Sequence, residues 1–421
     1  MFYCHFKFIY FLFLFSLVSC GKEAVVPAKS EPPVSVREDI DEEQEETIIL
    51  YVAPDGIGKS DGSSEHDAAY FADKTFWTQV QNSLAQSEVE VKFLVGNYVR
   101  AYTHDPFVFK QMGNKDNRLI LRGSEGVEFR LPQTGGVANY IMDFQGSQNI
   151  TIDNMHFSGD GAIQYVMRFT RSGTVPTTNI LVENCSWIGM SGVQYGASGC
   201  HYETTSHITY KNCTFKQIGS TTSAHMIYNA YGATHIHIIN SHFEDCAGDY
   251  IRYRDQSDYG LVKGSTFIRN KKIANLDFIW LPAFIALPVF NDIDPGDEFF
   301  TNNIAVVDNK FVDNAVSKTD KVVSFHHSGF SPDGRKYLLT AAEGAVLKEG
   351  PDFDKRELLI NNFGIDPSKV RIHGNTYPPN TTNVVILQTV ANYGAVDLGF
   401  RGFGNIASLI NTSSVPFSWE K

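Results

Sequence analysis

The chain has 421 residues, of which 43% are hydrophobic and 13% aromatic, so general disorder is excluded. The formal net charge is −12, and the first fifty residues carry nine acidic and four basic side chains, which leaves −7 for the remainder. A body this acidic argues against nucleic acid as a partner, because affinity for nucleic acid comes mostly from neutralising phosphates. An anionic ligand would need a local basic patch.

The N-terminus has the pattern of an export signal. Lys7 precedes an apolar run from Phe8 to Val18 that is too short to span a bilayer, so residues 1–19 are predicted to be cleaved. The ending LVSC resembles a bacterial lipobox, which implies that Cys20 is acylated and that the protein is a lipoprotein of the outer membrane or surface of a Gram-negative bacterium. An ordinary signal peptide with a chance cysteine is the alternative. Residues 20–47, with the run REDIDEEQEE, are predicted to be a solvated tether.

The remaining cysteines are predicted to be buried free thiols. Cys185 and Cys213 lie in matching Asn-Cys motifs, and parallel neighbouring strands would hold their side chains about 4.8 Å apart in an orientation unsuited to a disulfide. Cys200 and Cys246 complete the set, and the spacing fits no metal-finger pattern.

One short phrase recurs along the chain and ends each time in an aromatic residue. The closing aromatics from Phe157 to Phe267 are 30, 28, 28 and 24 residues apart, and Phe311 and Tyr377 follow after longer gaps. A period in the twenties with β-branched alternation predicts a parallel β-solenoid. The copies are NITIDNMHF from Asn149, NILVENCSW from Asn179, HITYKNCTF from His207, HIHIINSHF from His235, NIAVVDNKF from Asn303, and the degenerate GLVKGSTF from Gly260 and VRIHGNTY from Val370.

Each position of the phrase has a physical role in such a solenoid. Isoleucines such as Ile150 and Ile152 are predicted to point inward and stack between coils, while corner asparagines bond along the stack and tolerate a strained turn. The first coil exposes an apolar end that needs a cap. Residues 75–86, with helical spacing of Phe76, Val80 and Leu84, are predicted to form a capping helix there.

LYVAPDGIGKSDGSS at 50–64, the predicted helix, VKFLVGNYV at 91–99 and the repeats together resemble the right-handed parallel β-helix proteins of the pectate-lyase and chondroitinase-B kind. The resemblance covers roughly residues 50 to 380. It implies an all-β, single-stranded right-handed parallel β-helix over 48–421, with insertions at about 271–302 and 315–368. That superfamily contains polysaccharide lyases, polysaccharide hydrolases and binding proteins, so the resemblance implies a carbohydrate-related function without selecting one.

A second set of short strands precedes the repeat phrases and also aligns. When these segments are aligned by their distance from the repeat phrase that follows, equivalent positions form a predicted column of charged and aromatic residues on successive coils. Such a column is not a core ladder, because unpaired buried charges are too costly, so we expect it to face a solvent-filled groove. It contains Asp143, Arg168, Tyr228 and Arg252, and His225 lies over Asp249.

Two arginines are adjacent in this arrangement. Residues 245–260, DCAGDYIRYRDQSDYG, place Arg252 and Arg254 on one strand face, where they repel unless a protein carboxylate or an anionic ligand lies between them. A register slip of one residue would bring Tyr253 into the column instead of Arg252. A solvated ion-pair ladder is the alternative to a functional site. The predicted cluster contains His225, Tyr228, Asn229, Asp249, Arg252, Arg254 and His201, with His326 and His327 on a later coil.

These residue types fit β-elimination at a uronic acid in an acidic polysaccharide. Arg252 and Arg254 are predicted to neutralise the C6 carboxylate, His225 to take the C5 proton, and Tyr228 to act as acid or base. The resemblance implies a different assignment, with Arg252 as the base and Asp249 as a calcium ligand. The predicted substrate-binding residues are Asn229, Asp249, Tyr253, Arg168, His201 and His326.

Two other functions remain open. A glycoside hydrolase needs two carboxylates facing one groove, with Asp249, Asp255, Glu203 and Asp143 as candidates. A surface glycan-binding lipoprotein without catalysis would use Tyr228, Tyr250 and Tyr253 as sugar platforms. The run DIDPGDE at 292–298 is a weaker calcium candidate, the apolar run at 278–290 is predicted to be a lateral insertion, no other cofactor is expected, and a monomer is expected.

Overall fold

The structure, a computed structural model, describes residues 47–99, 107–133, 135–270, 282–289, 301–315, 322–327, 367–379, 381, 384–389 and 410–421. The predicted signal, Cys20, almost all of the tether, and the acidic run at 292–298 lie outside these residues. No helix in the described part of the chain is long and apolar enough to cross a bilayer.

The described strands follow one another in a repeating order of three sheets. In chain order they are β1 (Ile48–Ala53), β2 (Ala69–Tyr70), β3 (Val89–Phe93), β4 (Gly96–Asn97), β5 (Phe107–Lys110), β6 (Leu119–Gly123), β7 (Val127–Arg130), β8 (Ala138–Gln145), β9 (Gln148–Asp153), β10 (His156–Ser158), β11 (Ile163–Thr170), β12 (Thr177–Glu183), β13 (Ser186–Met190), β14 (Val193–His201), β15 (Thr205–Lys211), β16 (Thr214–Ile218), β17 (His225–Ala230), β18 (Thr234–Ile239), β19 (His242–Cys246), β20 (Ile251–Tyr253), β21 (Gly260–Lys263), β22 (Thr266–Arg269), β23 (Ile285–Val289), β24 (Ile304–Val307), β25 (Lys310–Asp313), β26 (Val323–His327), β27 (Val370–His373) and β28 (Val385–Thr389).

From β3 to β27 every third strand joins the same sheet, and all neighbours within the three sheets are parallel. Sheet A runs β2-β1-β3-β6-β9-β12-β15-β18-β21-β24-β27, sheet B runs β4-β7-β10-β13-β16-β19-β22-β25, and sheet C runs β5-β8-β11-β14-β17-β20-β23-β26-β28. One coil therefore contributes one strand to each sheet, and the next coil stacks upon it. This is a parallel β-helix, as the repeat predicts.

The helix α1 (Lys74–Ser83) confirms the predicted helix before the strand VEVKF. Asp73 caps it by accepting a hydrogen bond from the amide of Thr75, at 2.8 Å. Phe76 and Val80 are buried in the core, so the apolar stripe of the helix packs on the first coils.

A stack of aromatic rings fills the core beside sheet B. Trp187 lies between Phe157 and Phe215, with ring centroids 5.2 and 4.4 Å apart and nearly parallel planes. The predicted closing aromatics are therefore the rungs of one continuous ladder. Its members are Phe129, Phe157, Trp187, Phe215, Phe243, Phe267, Phe311 and Tyr377.

The corners between sheets A and B are held by polar side chains, as predicted. Asn184 has φ of 54°, and its amide donates to Asp153 of the preceding coil at 2.8 Å. Farther along, a hydrogen-bonded column links successive coils through unequal lengths of chain. Ser241, Ser265, Asn309 and Asn375 form it, with separations of 24, 44 and 66 residues.

The four described cysteines are buried and unpaired, as predicted. Burial raises the pKa of Cys200, Cys213 and Cys246 to about 12, so these thiols stay protonated at neutral pH.

The predicted insertions require a correction. Residues 285–289, inside the apolar run expected to be lateral, form β23 of sheet C, and Ile285 pairs with Ile251 of the preceding coil. The range 315–368 likewise contributes β26 to sheet C. The described part of this run, residues 282–289, therefore contains a strand and core-facing residues, since Phe284, Ile285 and Leu287 are all fully buried.

Sheet C strands carry a bend that determines which residues share a face. The amides of Met226 and Ile227 both bond to the carbonyl of Tyr250, at 3.1 Å each, so two successive residues enter the core. Residues on either side of this pair, such as His225 and Tyr228, consequently lie on the same outer face although they are three apart in sequence.

We expect Trp187→Ala to lower the free energy of unfolding by about 3–5 kcal/mol, because it removes a fully buried rung from the aromatic ladder. Urea unfolding followed by circular dichroism measures the change. Ile188→Ala is the matched control, since the neighbouring Ile188 is 43% exposed and its loss should change stability by no more than about 0.5 kcal/mol. Equal losses for the two variants would contradict the ladder as a principal source of stability.

Candidate active site

The predicted polar column lies on the outer face of sheet C, but it spans one coil more than the sequence predicted. Arg168 pairs in register with Asp143, and Tyr228 pairs with Arg252. Between them lies Gly199 of β14, so Arg168 and Tyr228 are two coils apart instead of adjacent. The expectation of successive coils is wrong at this point, because β14 has small residues where the other strands have recognisable polar ones.

The glycines of β14 make space for an aromatic ring. A Cβ atom on Gly199 would lie 2.9 Å from Cε1 of Tyr165, and one on Gly196 would lie 3.0 Å from its Cδ1. Tyr165 therefore lies across this strand and stacks on Tyr228, with centroids 6.3 Å apart and planes inclined by 5°. The ring joins the N-terminal and C-terminal parts of the polar face.

Arg252 and Arg254 share the outer face, and Tyr253 between them enters the core. Arg252 Nη2 donates to Oδ2 of Asp249 at 2.7 Å, so a carboxylate of the protein is a partner of Arg252. Arg254 Nη1 donates to the hydroxyl of Tyr228 at 3.0 Å. The positive charge of Arg254 thus lies where a negative charge on the Tyr228 oxygen would be stabilised.

His225 is oriented by the backbone of the next coil. Its Nδ1 lies 3.0 Å from the carbonyl oxygen of Asp249, and because that oxygen can only accept, Nδ1 carries the proton. The lone pair of the neutral ring is then on Nε2, the arrangement that a general base requires. The His225 and Tyr228 rings are 5.3 Å apart.

His201 is buried among tyrosines. Its ring meets those of Tyr165, Tyr228 and Tyr231 edge-on, with centroids 4.9, 5.7 and 5.9 Å away. Burial, with the charges of Arg168 and Arg254, lowers the pKa of His201 to about 3, so its imidazole is neutral. Within the described part of the chain, its Nε2 has no hydrogen-bond partner.

Arg168 forms a second, structural centre at the other end of the face. Its guanidinium donates to both oxygens of Asp143, at 2.9 and 2.8 Å, and lies 3.8 Å from the ring centroid of Tyr140. Desolvation opposes the charged form, but the paired Asp143 carboxylate prevails and the pKa of Arg168 is raised. This ion pair explains how Asp143 is tolerated with no exposed surface.

Several predicted ligand contacts are corrected by their burial. Tyr253 is fully buried and donates to the carbonyl of Ile236 at 3.0 Å, and Asn229 is likewise fully buried on the inward side of β17. Tyr250, a predicted sugar platform, bonds to the carbonyl of Ile268 at 2.8 Å from inside the core. For His326, the structure gives a register position opposite Pro288.

The expectation of an open groove is also corrected. His225 is 1% exposed, and Tyr228, Arg252 and Arg254 are between 5% and 7% exposed. The cluster nevertheless lies on the outer face and not among the isoleucines. We use the term sheet C cluster for His201, His225, Tyr228, Asp249, Arg252 and Arg254.

Sequence reasoning missed four tyrosines of this face. Tyr140 and Tyr165 open two of the aligned segments, YIMDF and YVMRF, so their shared position was an available signal. Tyr202 and Tyr231 stack on each other at the ends of β14 and β17, with centroids 5.8 Å apart. Their partnership was hidden because the β14 coil was not recognised.

No group of three or more metal-ligating side chains occurs among the described residues. Asp249, the calcium ligand implied by the resemblance, uses Oδ1 to accept from the amide of Ala283 at 2.8 Å and Oδ2 to accept from Arg252. Its geometry is that of an ion-pair partner.

No protein-family model and no curated protein matches the sequence. Among solved structures, a surface adhesin of Streptococcus pneumoniae is similar at 12% identity, with a TM-score of 0.40 and 81% of each chain covered. An alginate lyase of polysaccharide lyase family 6 has 11% identity and a TM-score of 0.37 over 89% of this chain and 59% of its own. A lyase of that family from Pseudopedobacter saltans has 10% identity and a TM-score of 0.31, covering 82% and 96%. The assignment of the fold rests on this chain's own strand order.

The burial of His201 predicts a specific acid sensitivity. Because its pKa is about 3 in the folded protein and 6.5 ordinarily, the unfolded chain binds more protons between these pH values. Stability from the neutral ring is complete above 6.5 and is lost as the pH falls towards 3. We expect His201→Gln to reduce the fall in unfolding free energy between pH 7 and about pH 4.5.

Urea titrations at the two pH values measure this difference. His66→Gln, which replaces an exposed histidine, serves as the control and should leave the pH-dependent fall unchanged. An equal fall in wild type and His201→Gln would contradict the assignment of a neutral buried imidazole.

Proposed function

We propose that this chain is an acidic-polysaccharide lyase that cleaves a uronic-acid-containing glycan by β-elimination at the outer face of sheet C. The observation that carries the proposal is the Arg254–Tyr228 hydrogen bond of 3.0 Å, with the His225 ring 5.3 Å from Tyr228 and Arg252 on the next coil. These side chains combine an anion-binding pair, a base and a proton donor.

The two arginines supply the anion-binding function. A guanidinium carries five N–H donors, so the bond of Arg252 to Asp249 is compatible with a second carboxylate. Bound between Arg252 and Arg254, the C6 carboxylate of the sugar would be neutralised where negative charge develops as the C5 proton leaves. Electrostatic stabilisation of that charge lowers the barrier most.

Proton transfer is assigned to His225 and Tyr228. Nε2 of His225 takes the proton from C5, the C5–H electrons form the C4–C5 double bond, and the C4–O4 bond breaks. The Tyr228 hydroxyl gives its proton to O4, and Arg254 stabilises the resulting phenolate. Return of the proton from His225 to Tyr228 through water completes the cycle.

The other assignments are less compatible with the contacts. Arg252 is an unfavourable base, because a guanidinium resists deprotonation in proteins and this one already donates to Asp249. Hydrolysis needs two carboxylates that can act on the sugar. Two of the candidates are already in ion pairs, Asp143 with Arg168 and Asp249 with Arg252. Asp143 and Asp249 also belong to coils four steps apart, about 19 Å, beyond the separation that glycoside hydrolases use.

We further propose that the protein is exported and anchored through an acylated Cys20, which would place the sheet C cluster outside the cytoplasm, where polysaccharide is found. The LVSC ending supports this proposal. Cys20→Ser should shift the protein from the membrane to the soluble fraction of its host. Retention of the variant in the membrane would contradict lipid anchoring.

The lyase proposal predicts that Tyr228→Phe loses at least about a hundredfold in kcat, since it removes the proton donor but keeps the ring that stacks on Tyr165. Ultraviolet absorbance of unsaturated uronate ends, on a panel of acidic polysaccharides, measures turnover. Arg252→Ala should abolish it. Tyr70→Phe, at the exposed edge strand β2, is the control with unchanged turnover.

The same assay separates the alternatives. New reducing ends without that absorbance would indicate a hydrolase. Polymer binding with neither product would indicate a glycan-binding protein, and full activity in Arg252→Ala would refute the assigned mechanism.

A further inference from the structure

Two stacked tyrosine rings with an arginine at each end extend from the sheet C cluster towards exposed surface. The Arg254 guanidinium lies 5.5 Å from the ring of Tyr231, Tyr231 stacks on Tyr202, and Arg171 lies 4.6 Å from the ring of Tyr202. Tyr202 is 37% exposed. These side chains therefore connect buried groups of the proposed catalytic site with groups that a ligand can reach.

The backbone holds both tyrosines in an unusual conformation. Tyr202 has φ of 75° and Tyr231 has φ of 59°, a left-handed region that is sterically unfavourable for a bulky side chain and normally taken by glycine or asparagine. Both follow the end of a sheet C strand, where the chain turns towards sheet A. Asn184 and Tyr259 share this conformation, so it fixes the direction of the two side chains and does not by itself indicate a ligand.

The cation at the exposed end, Arg171, is weakly held. Arg171 pairs with Glu203 at 2.5 Å, but the two side chains are 39% and 62% exposed. An ion pair this exposed contributes little to stability, so a ligand carboxylate can replace Glu203 at small cost. A planar guanidinium is suited to binding a carboxylate through two hydrogen bonds.

A buried polar atom beside the tyrosines also points to a ligand. His201 is 6% exposed and its ring meets those of Tyr202 and Tyr231 edge-on, at 6.5 and 5.9 Å. Its Nε2 has no hydrogen-bond partner in the described ranges. A buried polar atom in this state is costly, and a ligand hydroxyl would satisfy it.

We infer that Arg171, His201, Tyr202 and Tyr231 form a second sugar-binding subsite, which takes a further uronate residue of the polysaccharide cleaved at the sheet C cluster. The sugar ring packs on Tyr202, its carboxylate binds Arg171, and a hydroxyl bonds to His201. The inference rests on the proposed function for the identity of the polymer, but binding at the subsite does not require turnover.

The test measures binding without cleavage. In the full-length chain carrying Tyr228→Phe, affinity for polygalacturonate, alginate and hyaluronan is measured by isothermal titration calorimetry, with dextran as the neutral comparison. Adding Tyr202→Asn should weaken binding of the preferred uronate polymer about tenfold, the size expected for one aromatic stacking contact. Asparagine suits the left-handed backbone, so the fold is kept.

The matched control is Tyr259→Asn. Tyr259 also has a left-handed backbone, with φ of 62°, and also stacks on an aromatic ring, that of His235 at 4.6 Å, but it leads into sheet A. Its replacement should leave the affinity unchanged. Circular dichroism confirms that both variants are folded.

The outcomes separate this inference from the lyase proposal. With catalysis intact, Tyr202→Asn should raise KM for long polymer about tenfold at nearly unchanged kcat. Uronate binding that depends on Tyr202, together with no lyase activity in the wild-type chain, would support the subsite and refute the lyase. Unchanged affinity in Tyr202→Asn, equal weakening in Tyr259→Asn, or no binding to any uronate polymer would each overturn the subsite.

Discussion

Stacking of equivalent residues about 4.8 Å apart is the constraint from which the rest of this structure follows. Each side chain meets its counterpart on the next coil, so a column is stable only if its neighbours are compatible. Aromatic rings satisfy this rule inside the helix, where Trp187 and Phe215 are parallel within 2°. On the outer face, Asp143 meets Arg168 for the same reason. The charge and shape of each side chain must therefore match those of the equivalent side chain on the next coil.

The sequence was sufficient to predict the parts of the fold that repeat strongly. Closing aromatics, inward isoleucines and corner asparagines recur with similar residues, and they lie where their period places them. The strand β14 was missed because its glycines and small residues carry no polar or aromatic pattern. The strand β23 was misinterpreted because an apolar, proline-containing run fits an insertion as well as a buried strand.

The sequence predicted which residues belong to the candidate site better than it predicted their burial and their contacts. Residues two apart in a strand share a face, which was enough to place Arg252 and Arg254 together. The bend that brings His225 to the same face as Tyr228 depends on two successive core residues, and no residue of MIYN signals it. The closure of the face by Tyr165 depends on Gly196 and Gly199, which have no side chains to reveal that another residue fills their space.

The hydrogen-bonded column from Ser241 to Asn375 has a consequence for how such a protein changes. Its rungs are separated by 24, 44 and 66 residues of chain, yet the bonds between neighbouring rungs have similar lengths, from 2.8 to 3.0 Å. These hydrogen bonds therefore fix where the chain passes through the column on each coil. The number of residues between two rungs can vary without changing the bonds. Each interval between two rungs also contains the strands of one coil, so chain added between those strands can enlarge the molecule while the repeating frame stays unchanged. Recombination at these points offers a route to new surfaces that point mutation alone would reach slowly.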